Sequence, residues 1–337
     1  LRLSYEGLGA EYLYSKAMVG KTLSYEDDLR ALLAQYTGDE ATLELFRATK
    51  LARYLPPAGE RLEPGAVERA ALRYYMDALE TLRGRTPGYS EAVYHAYRLV
   101  VVARDVELIA RRRLQGEAPP SPGELIHPEA PETAAARRQA EEGADPAAVL
   151  AAAGMSEAAK LLQRARDAKL LSVAVELELL QAFNRARRAV RTEAGREIVG
   201  ARQDIYAARA AATLVAASID KSTVSLYTSV LDTYKLPRRK LIDAIEASDA
   251  ESVENILLEA AGTGPSEGLS ALEAFIASRR RENRASAKTI FIREPLSLDV
   301  VAGFAELFLL DAEDAIAIAL AGYSRQPKSI VTGLLSF

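Results

Sequence analysis

Hydrophobic positions recur every three to four residues over most of this chain, the spacing of one helix face, and strict apolar–polar alternation is nearly absent. The clearest stretch opens at Leu23-Ser24-Tyr25-Glu26-Asp27-Asp28-Leu29. Ser24 is placed as an N-cap and Asp27 stands at the third position, where an acceptor and a negative charge suit the free amides of a helix start. Leu29, Leu32 and Leu33 then line one face. After Thr37-Gly38-Asp39 a second short helix carries Leu43, Leu45 and Phe46. A longer helix follows over Val67 to Leu82, then an apolar one over Glu91 to Leu114 that stops at Gly116.

The same order of elements returns near the C-terminus. Leu236-Pro237-Arg238-Arg239-Lys240-Leu241 opens a helix with Pro in its first turn, and Glu251 to Glu259 forms the second arm of a hairpin after Ser248-Asp249. Leu269 to Lys288 is the long helix, and Leu298 to Leu320 the apolar one, stopping at Gly322. Gly116 and Gly322 lie about two repeat lengths apart, at roughly one hundred residues each, which leaves room for one copy between them. In that middle copy Asp145 to Leu150 and Ser156 to Ala168 make the hairpin, Leu170 to Val190 the long helix and Arg196 to Ala217 the last one, without a closing Gly. The expected fold is all-α, with three repeated helical units over 1–118, 119–220 and 221–337. Generic helices in series are the alternative.

Five prolines between Pro119 and Pro131 make 117–131 a connector between the first and second units. Thr289-Ile290-Phe291-Ile292 is the one stretch with an extended pattern, and its place between a helix and Pro295 reads as a linker. Tyr12, Tyr14, Tyr74, Tyr75, Tyr94 and Tyr97 fall on helices, where rings pack between neighbours with hydroxyls at the rim.

Composition narrows the function. The 337 residues are 49% hydrophobic, enough for a continuous core, and the net charge of −4 with interspersed signs argues against a nucleic-acid partner. Arg111-Arg112-Arg113, Arg137-Arg138, Arg187-Arg188 and Arg279-Arg280-Arg281 with Arg284 read as solvated faces or as docking patches for an acidic partner or anionic headgroups. Arg279, Arg280 and Arg284 form the densest patch and are the candidate partner-binding residues. The absence of cysteine excludes disulfides, thiol nucleophiles and the usual structural zinc sites. The most apolar window, Phe304 to Ala321, is interrupted by Glu306, Asp311, Glu313 and Asp314, so no membrane span is expected. Leu1 is no initiator Met and no signal sequence follows it, which places the expected start upstream.

Catalytic chemistry is thin. His95 and His127 do not pair as metal ligands, and Gly262, Gly264 and Gly268 fit neither phosphate-binding glycine motif. Asp311 and Asp314, one turn apart on an apolar helix, could share a magnesium ion as the aspartates of all-α prenyl-transfer enzymes do, or line a polar interface. Asp27-Asp28 sits at a helix start, where capping accounts for it. No catalytic residue, cofactor or metal site is assigned.

Several segments together resemble a family. They are Tyr12-Leu13-Tyr14-Ser15-Lys16-Ala17 before the first hairpin, Tyr97-Arg98-Leu99 through Asp105-Val106-Glu107-Leu108-Ile109, Leu114-Gln115-Gly116-Glu117, and Gly195-Arg196-Glu197-Ile198. Tyr234-Lys235-Leu236-Pro237 and Glu294-Pro295-Leu296-Ser297 continue the pattern. In order and spacing the chain resembles the C subunit of archaeal-type rotary ATPases, called subunit d in the vacuolar enzymes. It departs from that pattern at Ala315, Ala317 and Ala321, where the family carries Asn and basic residues, and at Gln203-Asp204 in an alanine-rich helix. The resemblance implies a funnel with pseudo-threefold symmetry at the cytoplasmic face of the membrane. Such a protein is peripheral, has no active site of its own, and couples the central stalk to the proteolipid ring during proton or sodium translocation. Apolar area exposed at the funnel rim and base is expected on the isolated subunit. A helical scaffold unrelated to rotary motors and a magnesium-dependent diphosphate-binding enzyme are the alternatives.

Overall fold

The computed structural model describes residues 11, 14–18, 22–83, 88, 90–165, 170–217, 221–262 and 268–337. Among these residues every regular element is helical: fifteen α-helices with described ends, three short 3-10 stretches and no strand. Tyr12, Leu13, Leu1, Ala168 and Gly264, which entered the readings above, lie outside the described residues.

The first helices are α1 (Glu26–Ala34), α2 (Ala41–Glu44), α3 (Pro64–Glu80) and α4 (Ser90–Leu114). Then come α5 (Pro131–Glu141), α6 (Pro146–Ala152), α7 (Ser156–Ala165), α8 (Leu171–Ala189) and α9 (Glu193–Ala216). The chain ends with α10 (Lys221–Val230), α11 (Arg238–Glu246), α12 (Ala250–Ala261), α13 (Ala271–Arg293), α14 (Val300–Tyr323) and α15 (Lys328–Leu334). These helices form two compact units, each assembled from separated stretches: Leu1–Tyr94 with Ala186–Val199 and Thr263–Phe337, and His95–Arg185 with Gly200–Gly262.

In the first unit α14 is the core. Nineteen of its 24 residues are buried, around its whole circumference, because α1, α2, α3, α13 and α15 all pack on it. Two glycines let neighbours come close. A Cβ on Gly303 would stand 3.0 Å from the Ala287 carbonyl oxygen of α13 and would run into Ile290, and one on Gly322 would stand 2.8 Å from Thr42 Cβ of α2. Tyr25, Tyr74 and Phe308 extend the core as a run of rings, with Tyr25 edge-on to Tyr74 at 5.2 Å. The Tyr74 hydroxyl donates to the Leu23 carbonyl at 2.5 Å.

In the second unit Phe183 of α8 packs against Tyr97 of α4 at 5.0 Å and Tyr206 of α9 at 5.5 Å between ring centres. Helices α5, α6 and α7 stack in sequence, and α10 packs on α11, which pairs with α12. Glu178 of α8 accepts from the amides of Glu157 (2.9 Å) and Ala158 (3.1 Å), which satisfies the first turn of α7 from outside that helix.

Several local expectations are corrected. Ser24 does not cap α1: Tyr25 holds that position, and the Ser24 hydroxyl donates instead to Asp311 at 2.6 Å. Pro237 precedes α11 and does not enter its first turn. Thr289–Ile292 is the last turn of α13, because the buried faces of Ile290 and Phe291 continue the helical period past the β-branched residues. Gly322 does not stop α14. The helix runs to Tyr323 and ends beyond it, where Arg325 takes φ 56°, and Gly322 is needed for the approach of α2. The connector is shorter than 117–131 at its far end, since Pro131 begins α5, and α5, α10 and α15 are helices without counterparts in the sequence reading.

Candidate functional site: aspartate clasps and a buried arginine cluster

The helices α4, α9 and α14, the last of which also holds the buried Asp314, each carry an aspartate that is at most 2% exposed and clasps a distant segment: Asp105, Asp204 and Asp311. Along the chain these residues follow one another at roughly one-hundred-residue spacing. Each grips two consecutive residues just ahead of a later or distant helix. Asp105 accepts from the amides of Ile126 (2.8 Å) and His127 (2.7 Å), one per oxygen. Asp204 does the same for Tyr234 (2.7 Å) and Lys235 (2.9 Å). Asp311 takes the Tyr25 amide (3.1 Å) and the Ser24 hydroxyl (2.6 Å) on one oxygen. Carboxylate to amide bonds are charge-assisted, and burial strengthens them. The segments held are the connector that leads to α5, the approach to α11 and the approach to α1. The clasps of α4 and α9 lie within the second unit and that of α14 within the first.

The third clasp differs by using its other oxygen for an arginine. Arg284 of α13 is 3% exposed and donates to Asp311 Oδ1 (2.8 Å), Asp314 Oδ2 (3.1 Å), Glu26 Oε2 (2.8 Å) and the Ser336 hydroxyl (2.8 Å). Arg280, one turn earlier, donates to Asp314 Oδ1 at 2.6 Å and lies 3.1 Å from Glu313. Ser336 returns its amide (3.0 Å) and hydroxyl (2.6 Å) to Asp314, so the segment after α15 is fastened to the same cluster. Lys288 closes the outer edge on Glu26 at 2.7 Å.

Electrostatics follow from this packing. Burial pushes the Asp311 carboxyl above its ordinary range, with Arg284 and Ser24 pulling against it. Burial also works against the charge of Arg284, yet Asp311, Asp314 and Glu26 outweigh it and raise its pKa. At Glu26 the upward push of burial is overcome by Lys288, Arg284 and Arg30, which hold the carboxyl at about 2. The cluster is therefore a set of fixed charges joining α1, α13, α14 and the C-terminal segment.

Arg279, Arg280 and Arg284, read from the sequence as an exposed docking patch, are buried: 9%, 6% and 3% exposed respectively. The reason is α14, an apolar helix whose carboxylates need cations once both flanks are covered. Arg279 pairs with Glu282 at 2.7 Å and lies over the Phe275 ring. Asp311 and Asp314 are the other half of the same cluster, with both oxygens of each engaged by donors of this chain. Among the described residues no group of three or more His, Cys, Asp or Glu side chains is placed to hold a metal ion, and no helix is long and apolar enough to cross a membrane. In the run 111–113, Arg111 pairs with Glu107, Arg112 with Glu124, and Arg113 Nε donates to the Ala144 carbonyl at 2.9 Å, whereas Arg138 and Arg188 of the other two runs are exposed. His95 has an exposed surface, with its pKa lowered by desolvation, and His127 contributes its amide to the Asp105 clasp.

Sequence reading missed the clasps, although Asp105, Asp204 and Asp311 recur at roughly one-hundred-residue spacing on long helices with wide apolar faces. That recurrence was the available signal. No protein-family model matches the chain, and no curated protein matches it.

Proposed function

We propose that this chain is a non-catalytic rotor adapter of the archaeal and vacuolar rotary ATPase type, a pseudo-threefold helical funnel that couples a central stalk to a membrane proteolipid ring. The observation that carries the reading is the recurrence of the clasp. Three long helices spaced alike along the chain each hold, by one buried aspartate, the segment ahead of a later copy, and the third reaches back to the first. A closed cycle of like joints is what a threefold ring of repeats requires, whereas an open solenoid leaves its last repeat unjoined.

Two further features support it. An adapter between moving parts must resist shear, and the Arg280–Arg284 cluster cross-links four segments with buried charge-assisted bonds. Large apolar side chains also stand in solvent around both ends of α14: Ile292 and Leu296 (80% and 68% exposed) ahead of it, and Leu320 and Tyr323 in its last turns. Apolar exposure of this kind belongs to surfaces that partners cover. The decisive experiment is affinity purification of the tagged full chain from detergent-solubilised native membranes. Stalk and ring subunits should elute with it, and elution without either overturns the reading.

A further inference from the structure

The hairpin of α11 and α12 carries a groove that neither the clasps nor the arginine cluster uses. It encloses about 460 Å³ and is lined by Lys240, Asp243, Ala244, Ala247, Ile256 and Glu259, among others. Its floor is apolar and low, with Ala244 and Ile256 buried and Ala247 at the turn. Its rim is acidic. Across 241–261 the chain has Asp243, Glu246, Asp249, Glu251, Glu254 and Glu259 and no Lys or Arg, although basic and acidic residues nearly balance over the whole molecule. Asp249 is used locally, since it caps α12 by accepting from the Ser252 amide at 3.0 Å. The carboxylates of Asp243 and Glu259, by contrast, sit on facing helices and make no hydrogen bond or ion pair among the described residues.

We propose that this groove is a docking site for a basic amphipathic helix of a partner protein, with small apolar residues on the helix seated on Ala244, Ala247 and Ile256 and Lys or Arg side chains reaching Asp243 and Glu259. Three points select that occupant. The groove runs between two helices, and α12 is 12 residues long, or roughly 18 Å, which matches about three turns of a docked helix. The shallow alanine floor admits a helix backbone closely while offering no deep pocket for a bulky anchor. The rim stays net negative with Lys240 counted against Asp243, Asp249 and Glu259, and it attracts cations and repels acidic segments, giving steering and register in addition to contact. The inference does not depend on the rotor reading, because the groove's chemistry is the same whatever complex the chain joins.

The test uses the full chain and a labelled 15-residue peptide with Ala and Leu on one helical face and Lys and Arg on the other. Fluorescence anisotropy should show saturable binding that weakens steeply between low and high salt, as expected for solvent-exposed pairs. The variant Asp243→Lys/Glu259→Lys, which removes no internal bond, should bind at least tenfold more weakly with an unchanged circular dichroism spectrum, and Lys240→Glu should bind more tightly. A peptide of the same composition with its pattern scrambled should lose most of the affinity. Equal binding of the scrambled peptide reduces the effect to general polycation attraction and overturns the proposal, as does no saturable binding or indifference to the charge reversal. None of these results bears on whether stalk and ring subunits co-purify with the chain.

Discussion

Replacing Arg284 by Met tests whether the buried cluster is a structural lock. Met keeps most of the apolar stem and removes only the guanidinium, which now donates to Asp311, Asp314, Glu26 and Ser336. The losses are unequal. Asp314 retains Arg280 at 2.6 Å and both groups of Ser336, and Glu26 retains Lys288 and Arg30. Asp311 is left with the Ser24 hydroxyl and the Tyr25 amide at a fully buried position, so the uncompensated charge falls on it. Removing one partner of a buried pair costs about 3–5 kcal/mol, which for a body of this size lowers the thermal midpoint by roughly 6–20 °C. The sign with pH is also fixed. Asp311 already has a folded pKa above its ordinary 3.8, and without Arg284 it rises further. A carboxyl shifted this way contributes fully below 3.8 and loses its contribution as pH climbs through the folded value, so the deficit of the variant should shrink on acidification. Adding Asp311→Asn to the variant should recover part of the loss at neutral pH. Melting followed at 222 nm across pH 4 to 8 reads all three effects. A midpoint within 2 °C of the parent at pH 7, or no recovery in the double variant, would falsify the assignment of the cluster as a lock.

Three other outcomes follow from particular sites. Gly303→Ala places a methyl against Ile290 and the Ala287 carbonyl, and the forced separation of α13 from α14 should cost about 1–3 kcal/mol by urea denaturation; an unchanged midpoint contradicts the close crossing. Asp204→Ala removes the carboxylate that accepts from the part-buried amides of Tyr234 and Lys235, at about 1.5–3 kcal/mol for each charge-assisted bond lost. Hydrogen exchange at those two amides should accelerate before exchange elsewhere, and protection equal to the parent removes the clasp. Glu176 has a buried Oε2 without a hydrogen-bond partner, and burial pushes its carboxyl from 4.5 to about 7 against the pull of Arg209 and Arg104, with Glu107 adding to the rise. Its contribution is present below 4.5 and lost as pH rises through about 7, so Glu176→Gln should match the parent in acid and exceed it at pH 8. Parallel stability profiles for the two proteins refute that.

Elements with strong end signals and a wide apolar face were legible in the sequence. Asp145 and Asp249 cap α6 and α12 as their positions suggest, Gly116 takes φ 72° after α4, and of the four longest helices α4, α9 and α14 lie within a few residues of where periodicity put them, while α13 runs five residues further than read. What failed had weak local signals. Helix α5 presents Ala136 and Ala140 to the interior and follows a proline cluster, and α10 is rich in Ser, Thr and Val, so neither shows a helical face of large residues. The arginines failed for another reason. Charge in a run looks solvated when only its own helix is considered, and whether Arg280 and Arg284 face water depends on α14 packing over them. The pattern did hold half of the answer: Asp311 and Asp314 on a helix too apolar to be exposed demand cations, and α13 carries two at one-turn spacing.

The different construction of the third clasp has a polymer-physical reason. Asp105 and Asp204 hold amides 21 to 31 residues away in sequence, so the loops they close are short. Asp311 holds Ser24 and Tyr25 across 286 to 287 residues. Closure entropy grows with the logarithm of loop length, and a tenfold longer loop costs about 2 kcal/mol more. Two amide bonds to a carboxylate suffice where the chain itself keeps the partners near. Where it does not, the joint recruits Arg284 and Lys288 to Glu26, bonds that exist only once the distant ends have met, while the short-range bonds of Arg284 to Asp311 and of Ser336 to Asp314 hold the cluster in place to receive them. Charge-assisted bonds are worth about 1.5–3 kcal/mol apiece, so one or two of them offset the added entropy. The seam between the two ends of the sequence is thereby brought level with the joints that covalent continuity already favours.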